Sequence, residues 1–145
     1  VFDIGRDDCF HAYKGGGAFC NDKPIHVSKL PTLGDSLLAT GFPYYDFDRM
    51  PEYQSILNEL MQNAHGLRRL GSAAIDLVYV GLGRYEGYFE YNLNPWDIAA
   101  GALIVEEAGG MVTDFSGGND YLFGREILAA NRIHAEMLAI IKKHW

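Results

Sequence analysis

A layered sandwich of the α/β or α+β class is the fold that the sequence predicts, and three observations predict it. Short runs rich in β-branched and aromatic residues, bounded by Gly and Asn-Asp turns, alternate with tracts of helical periodicity. No internal repeat or low-complexity linker interrupts them. At 145 residues and 48% hydrophobic, the chain has enough apolar side chains for one ordinary core, so residues 1–145 read as a single unit.

In chain order, Val1 to Ile4, Cys9 to Tyr13 and Ile25 to Val27 are strand candidates. "CFHAYKGGGAFC" is expected to be a hairpin turning at Gly15–Gly17, which sets Cys20 opposite His11 or Ala12 rather than Cys9. No disulfide is therefore expected, and a reduced, cytoplasmic protein follows from that. Ser36 to Thr40 is the next strand, ended by "GFP".

The clearest helix is "PEYQSILNELMQNAHG". Pro51 suits the first helical position, Glu52 the first turn and Gly66 the stop. Tyr53, Ile56, Leu57, Leu60, Met61 and Ala64 fall on one face at helical spacing. A second helix begins at Ser72 and runs through "AAIDLVYVG". "YEGYFEY" follows as a strand whose poor alternation predicts burial on both faces. The helix from Pro95 to about Ala108 is stopped by Gly109-Gly110. "MVTD" and "EILAAN" read as strands, and Asn131 is expected to cap a final helix with Ile133, Met137, Ile140 and Ile141 on one face.

Twelve Lys and Arg against 19 Asp and Glu give a net charge of -7, which repels phosphate backbones and anionic membranes. The longest apolar tract, Ile98 to Val105, is far short of the roughly 20 residues that span a bilayer. Several motifs reduce to plain structure. "GLGRYEG" places its third glycine one position late for a dinucleotide fingerprint and reads as a helix stop and turn. The five histidines show no zinc spacing, and no Gly-x-Ser-x-Gly elbow is present.

One stretch resists a bland reading. "EYNLNPWDIAAGALIVEEAGG" opens an apolar helix on Asp97, with Glu90 at the end of the strand before it. A carboxylate in a first helical turn gains about 0.3–1 kcal/mol from free N–H groups and the helix dipole. Trp96 and the Ala-rich tract predict that this helix start is partly buried, where an unpaired acid is costly. Gly101 costs about 1 kcal/mol in a helix interior, which predicts close approach to a neighbouring element. A hard divalent cation would hold the two acids in ionised form. Glu106 and Glu107 meet the helix dipole unfavourably, and Arg68 or Arg69 is the expected partner.

These segments carry a resemblance. "WDIAAGALIVEEAGG" resembles the second signature of the inositol monophosphatase family, in which an Asp after Trp opens a helix ending in Glu-Ala-Gly-Gly. "RRLGSAAIDLVYVGLGRYEGYFE" resembles the segment before it, "FHAYKGGGAFCNDKPIHVS" the family's hairpin, and "TGFPY" the strand after that hairpin. The matches occur in the family's order over nearly the whole chain.

The resemblance implies the C-terminal portion of the α-β-α-β-α fold of inositol monophosphatases and fructose bisphosphatases. It implies hydrolysis of a phosphate monoester such as inositol 1-phosphate, with Mg²⁺ ions neutralising the phosphate and the leaving alkoxide. Asp97 is then a catalytic metal ligand that also contacts substrate. Glu90 accepts hydrogen bonds from substrate hydroxyls, and Gly71, Ser72 and Ala73 line the sugar-alcohol ring. A homodimer is implied on the same ground.

One departure matters. The family's first signature, an Asp-Pro-x-Asp-Gly-Thr segment that supplies most metal ligands, does not occur in these residues. The chain also begins at Val1 inside a strand-like run, so it is expected to be part of a longer phosphatase and catalytically inactive alone. The alternatives are a related 3'-phosphonucleotide phosphatase or fructose bisphosphatase, or a non-catalytic binding or dimerisation module.

Overall fold

The structure is a computed structural model that describes residues 1–145. Four strands form a first, antiparallel sheet in the order β1-β2-β3-β4: β1 (Phe2–Asp3), β2 (Asp8–Tyr13), β3 (Gly17–Cys20) and β4 (Lys23–Ile25). Five form a second, mixed sheet in the order β6-β5-β7-β9-β8: β5 (Leu37–Thr40), β6 (Gly66–Arg68), β7 (Gly87–Tyr91), β8 (Met111–Thr113) and β9 (Glu126–Ala130). Strand β5 runs parallel to β6 and β7, and β9 runs antiparallel to β7 and β8.

The helices are α1 (Met50–Asn63), α2 (Ala73–Gly81), α3 (Pro95–Glu107), the short α4 (Tyr121–Gly124) and α5 (His134–His144). Period-2 alternation along the second sheet sorts them into layers. Ala39, Tyr88, Ile127 and Ala129 pack with α2, α3 and the inner residues Phe10, Ala18 and Ile25 of the first sheet. Leu38, Phe89, Leu128 and Ala130 face the opposite way, onto Tyr53, Ile56 and Leu60 of α1 and Met137 and Ile141 of α5. The result is sheet, helix pair, sheet, helix pair, as the layered sandwich predicted. Every residue of β7 is buried, which explains why its sequence lacks alternation.

The hairpin register differs slightly from expectation. Cys20 lies opposite Phe10, because Gly16 N–H bonds to the Tyr13 carbonyl at 2.9 Å and leaves a short loop between Tyr13 and its partner Gly17. Both cysteines are free. Strand β6 escaped the sequence reading because it is three residues long at the sheet edge. Asn131 is not the N-cap residue of α5, which starts at His134 after Ile133, but its Oδ1 accepts the Ile133 N–H at 3.1 Å at the entry to that helix. Its side-chain Nδ2 also donates to the carbonyls of Ser28 and Leu30, at 2.9 and 3.1 Å.

Helices α2 and α3 touch nearly backbone to backbone. A Cβ on Gly101 would lie 2.6 Å from Cβ of fully buried Leu77, and one on Gly81 would lie 3.1 Å from Ile104. This is the close approach that a glycine inside a helix predicted. Gly101→Ala gains about 1 kcal/mol in helix propensity, but overpacking typically costs about 1–3 kcal/mol and Leu77 has nowhere to go. The expected outcome is a lower urea midpoint, by a net amount on the order of 1 kcal/mol. An unchanged or raised midpoint would show that the two helices separate without cost.

Candidate active site

Strands β5 and β7 are parallel and end side by side, and helices α2 and α3 begin above those ends. Ligands in sheets of this kind gather at the carboxyl ends of strands. A cleft of about 310 Å³ lies there, and Gly71, Ser72, Ala73, Glu90 and Asp97 all line it. The five positions singled out in the sequence are thus brought together.

Asp97 sits in the first turn of α3, where its Oδ2 accepts the Asn94 N–H at 3.0 Å, the carboxylate arm of a capping box. Its other oxygen takes no hydrogen bond from the chain. The expectation that Trp96 helps to bury this helix start is not met. Trp96 is 80% exposed, and Ala99 and Ala100 are also exposed, because only the Ile98–Gly101–Ala102–Val105 side of α3 faces its neighbours.

Glu90 is buried on the face of β7 turned toward α2 and α3, two residues from Tyr88, whose hydroxyl donates to its Oε2. Gly41 leaves room for it: a Cβ there would stand 2.0 Å from Glu90 Oε2. Burial pushes the Glu90 carboxyl up to about 7, and the Tyr88 hydroxyl and the Arg69 charge oppose that rise.

The sequence reading missed Asp76. It lies in the first turn of α2, 1% exposed, and its Oδ1 has no hydrogen-bond partner. Burial, reinforced by the charge of Glu90, pushes it to about 7, against the pull of Arg69. The signal was present: one acid stands in the otherwise apolar run "AAIDLVYV". Arg125, which also lines the cleft, was missed too. Its guanidinium donates to the carbonyls of Leu93 and Asn92 at 3.1 and 3.4 Å, which holds the turn between Glu90 and Asp97. Asn92 and Arg125 both adopt the left-handed region, at φ 63° and 64°.

Arg68 and Arg69 are not the partners of Glu106 and Glu107. Glu107 accepts the N–H groups of Gly15 and Gly17 at 2.7 and 2.9 Å and so ties the hairpin to α3. Glu106 accepts the Tyr121 hydroxyl at 3.1 Å. Arg69 instead reaches Tyr44, at 3.2 Å, beside the cleft.

Carboxylate oxygens suit a hard cation such as Mg²⁺. Asp97 offers one oxygen free of hydrogen bonds at the cleft, but no group of three or more His, Cys, Asp or Glu side chains is placed to hold an ion. The residues present therefore fit one corner of a coordination shell.

The acid pair has a consequence for stability. The ordinary carboxyl values are 3.8 for Asp76 and 4.5 for Glu90, and both rise to about 7 on folding. Between those limits the folded chain holds more protons than the unfolded one, so these groups make stability fall as pH rises from about 4 to about 7. Burial lowers the pKa of His134, which works in the opposite direction below neutrality. The readout is therefore a difference. Asp76→Asn is expected to gain more over wild type at pH 8 than at pH 5 in urea unfolding; an equal effect at both values would contradict the buried acid.

The sequence profile described as the inositol monophosphatase family matches residues 3–145. A protein named putative Nus factor SuhB, from Neisseria meningitidis serogroup B, is 49% identical over 145 residues, covering 99% of this chain and 56% of its own. Among solved structures, the extragenic suppressor protein suhB of Bartonella henselae superposes with a TM-score of 0.94 at 41% identity, over 99% of this chain and 55% of that one. The inositol monophosphatase of Anabaena (Nostoc) sp. PCC 7120 gives 0.90 at 37%, over 100% and 58%. The chain spans about half the length of these relatives. On a family match across nearly all of its residues, the chain belongs to the inositol monophosphatase family.

Proposed function

We propose that these residues form the substrate-hydroxyl side and one metal corner of a Mg²⁺-dependent phosphatase acting on inositol monophosphate or a similar polyol phosphate. The observation that carries this reading is the convergence of Glu90, Asp97 and the Gly71–Ala73 turn on one cleft. Gly71, at φ 96°, and the small residues Ser72 and Ala73 leave space for a ring beside the start of α2. Glu90, when ionised, accepts substrate hydroxyls, and the Tyr88 hydroxyl holds its carboxylate in place. Asp97 is fixed by its bond to Asn94 and presents its remaining oxygen to metal and substrate. The chemistry that Mg²⁺ supplies when bound is neutralisation of phosphate and leaving-group charge.

A similar inositol monophosphatase, that of Anabaena, supports the reading. A cytoplasmic homodimer belongs to the same proposal, and the net charge of -7 supports leaving nucleic acid out of it. Catalysis needs more carboxylates than Asp97, so the 145 residues by themselves are expected to release no phosphate.

A second reading is a binding or dimerisation module that works without catalysis. The name Nus factor on a 49% identical relative favours it.

The test is phosphate release from inositol 1-phosphate by a protein in which these residues follow the family's Asp-Pro-x-Asp-Gly-Thr segment. Asp97→Ala is expected to lower activity by about 100-fold or more, the upper range for loss of supporting groups around a metal. Glu90→Gln is expected to raise KM about tenfold, as for one hydrogen bond to a charged group. Activity indifferent to Asp97 would contradict the assignment. Preferential turnover of a 3'-phosphonucleotide or of fructose bisphosphate would move the substrate to one of the related classes. A wild-type protein with no turnover would favour the module.

A further inference from the structure

Away from that cleft, a second surface hollow of about 360 Å³ lies between the segment 26–30 and the C-terminal end of α3. His26, Lys29 and Arg132 line it with Ser28 and Gly109, and no acidic side chain does. That is unusual on a chain with 19 acids against 12 Lys and Arg. The ion pairs of the molecule use Arg6, His11, Arg49, Lys143 and His144, so these three basic groups remain free.

The backbone beneath them is fixed. The buried Asn131 amide holds the carbonyls on either side of Lys29, those of Ser28 and Leu30, at 2.9 and 3.1 Å. Arg132 is the next residue after Asn131, so one side chain sets the spacing of both cations. Val27 N–H bonds to the Ala108 carbonyl at 3.1 Å, which pins the segment to the end of α3. On the other side Gly83 presses so closely that a Cβ there would lie 3.1 Å from His26 O and Ser28 N.

Like charges gathered on a rigid frame without counter-ions repel one another, and a bound anion removes that cost. Arg gives a planar fork suited to phosphate, Lys a point charge and His a ring N–H donor. We propose that the hollow lined by His26, Lys29 and Arg132 is a binding site for a multiply charged phosphoryl anion, separate from the Glu90–Asp97 cleft.

The test is titration of the ¹⁵N-labelled 145-residue chain with inorganic pyrophosphate at constant ionic strength, followed by amide chemical shifts. Saturable shifts at Lys29, Gly109 and Arg132 are expected, with a Kd of about 1 mM or lower. Both cations are exposed, so the double variant Lys29→Ala/Arg132→Ala keeps the fold, checked by its unperturbed core amides. It is expected to weaken binding at least about tenfold. No saturable shift, shifts confined to residues of the Glu90–Asp97 cleft, or undiminished binding in the double variant would each overturn the proposal.

Discussion

At Gly101 the backbone of α3 comes within side-chain contact of α2, and the middle layer of the molecule is built around that approach. With a hydrogen in place of a side chain, Leu77 reaches the backbone of α3, and the helix pair fits as one layer between two sheets. The same contact holds the two helix starts side by side. Ser72 and Ala73 at the start of α2 and Asp97 at the start of α3 open onto one cleft, above the ends of β5 and β7. Glu107, at the far end of α3, holds the turn of the first hairpin. One helix is thus fixed at both ends by carboxylates, one in a capping box and one on a glycine turn.

The energetic cost of the cleft is concentrated in two acids. Asp76 and Glu90 are almost wholly buried on one side of the second sheet, and the charge of Glu90 adds to the cost of ionising Asp76. Arg69 relieves part of that cost for both acids and the Tyr88 hydroxyl relieves more of it for Glu90, whereas Asp76 Oδ1 has no hydrogen-bond partner. Gly41 leaves the space in which the Glu90 carboxylate sits. Acids buried with only partial relief are more common at ligand sites than in structural cores.

Much of the fold was legible because its periodicities are strong. Tyr53, Ile56 and Leu60 marked the buried face of α1, and the uniform burial of β7 followed from its missing alternation. Gly101 announced a close helix contact through a propensity cost that only packing explains. The candidate site was named through the family resemblance more than through its chemistry, since Glu90 and Asp97 alone named no reaction, and the structure brings the named positions to one cleft. What escaped depended on contacts far apart in sequence. Glu107 finds a turn 90 residues away, Asn131 clamps a segment more than 100 residues earlier, and Trp96 points outward because α3 turns another face to the core. Local pattern carries none of that information.

That the Glu90–Asp97 cleft receives substrate is tested most directly by an amide chemical-shift map with Mg²⁺ and inositol 1-phosphate, taken on a protein in which these residues follow the family's Asp-Pro-x-Asp-Gly-Thr segment. Shifts grouped at Gly41, Gly71, Ser72, Glu90, Asn94 and Asp97, residues around the cleft, are expected. A map with no shifts at those positions, or with saturable shifts only elsewhere on the molecule, would contradict substrate binding there.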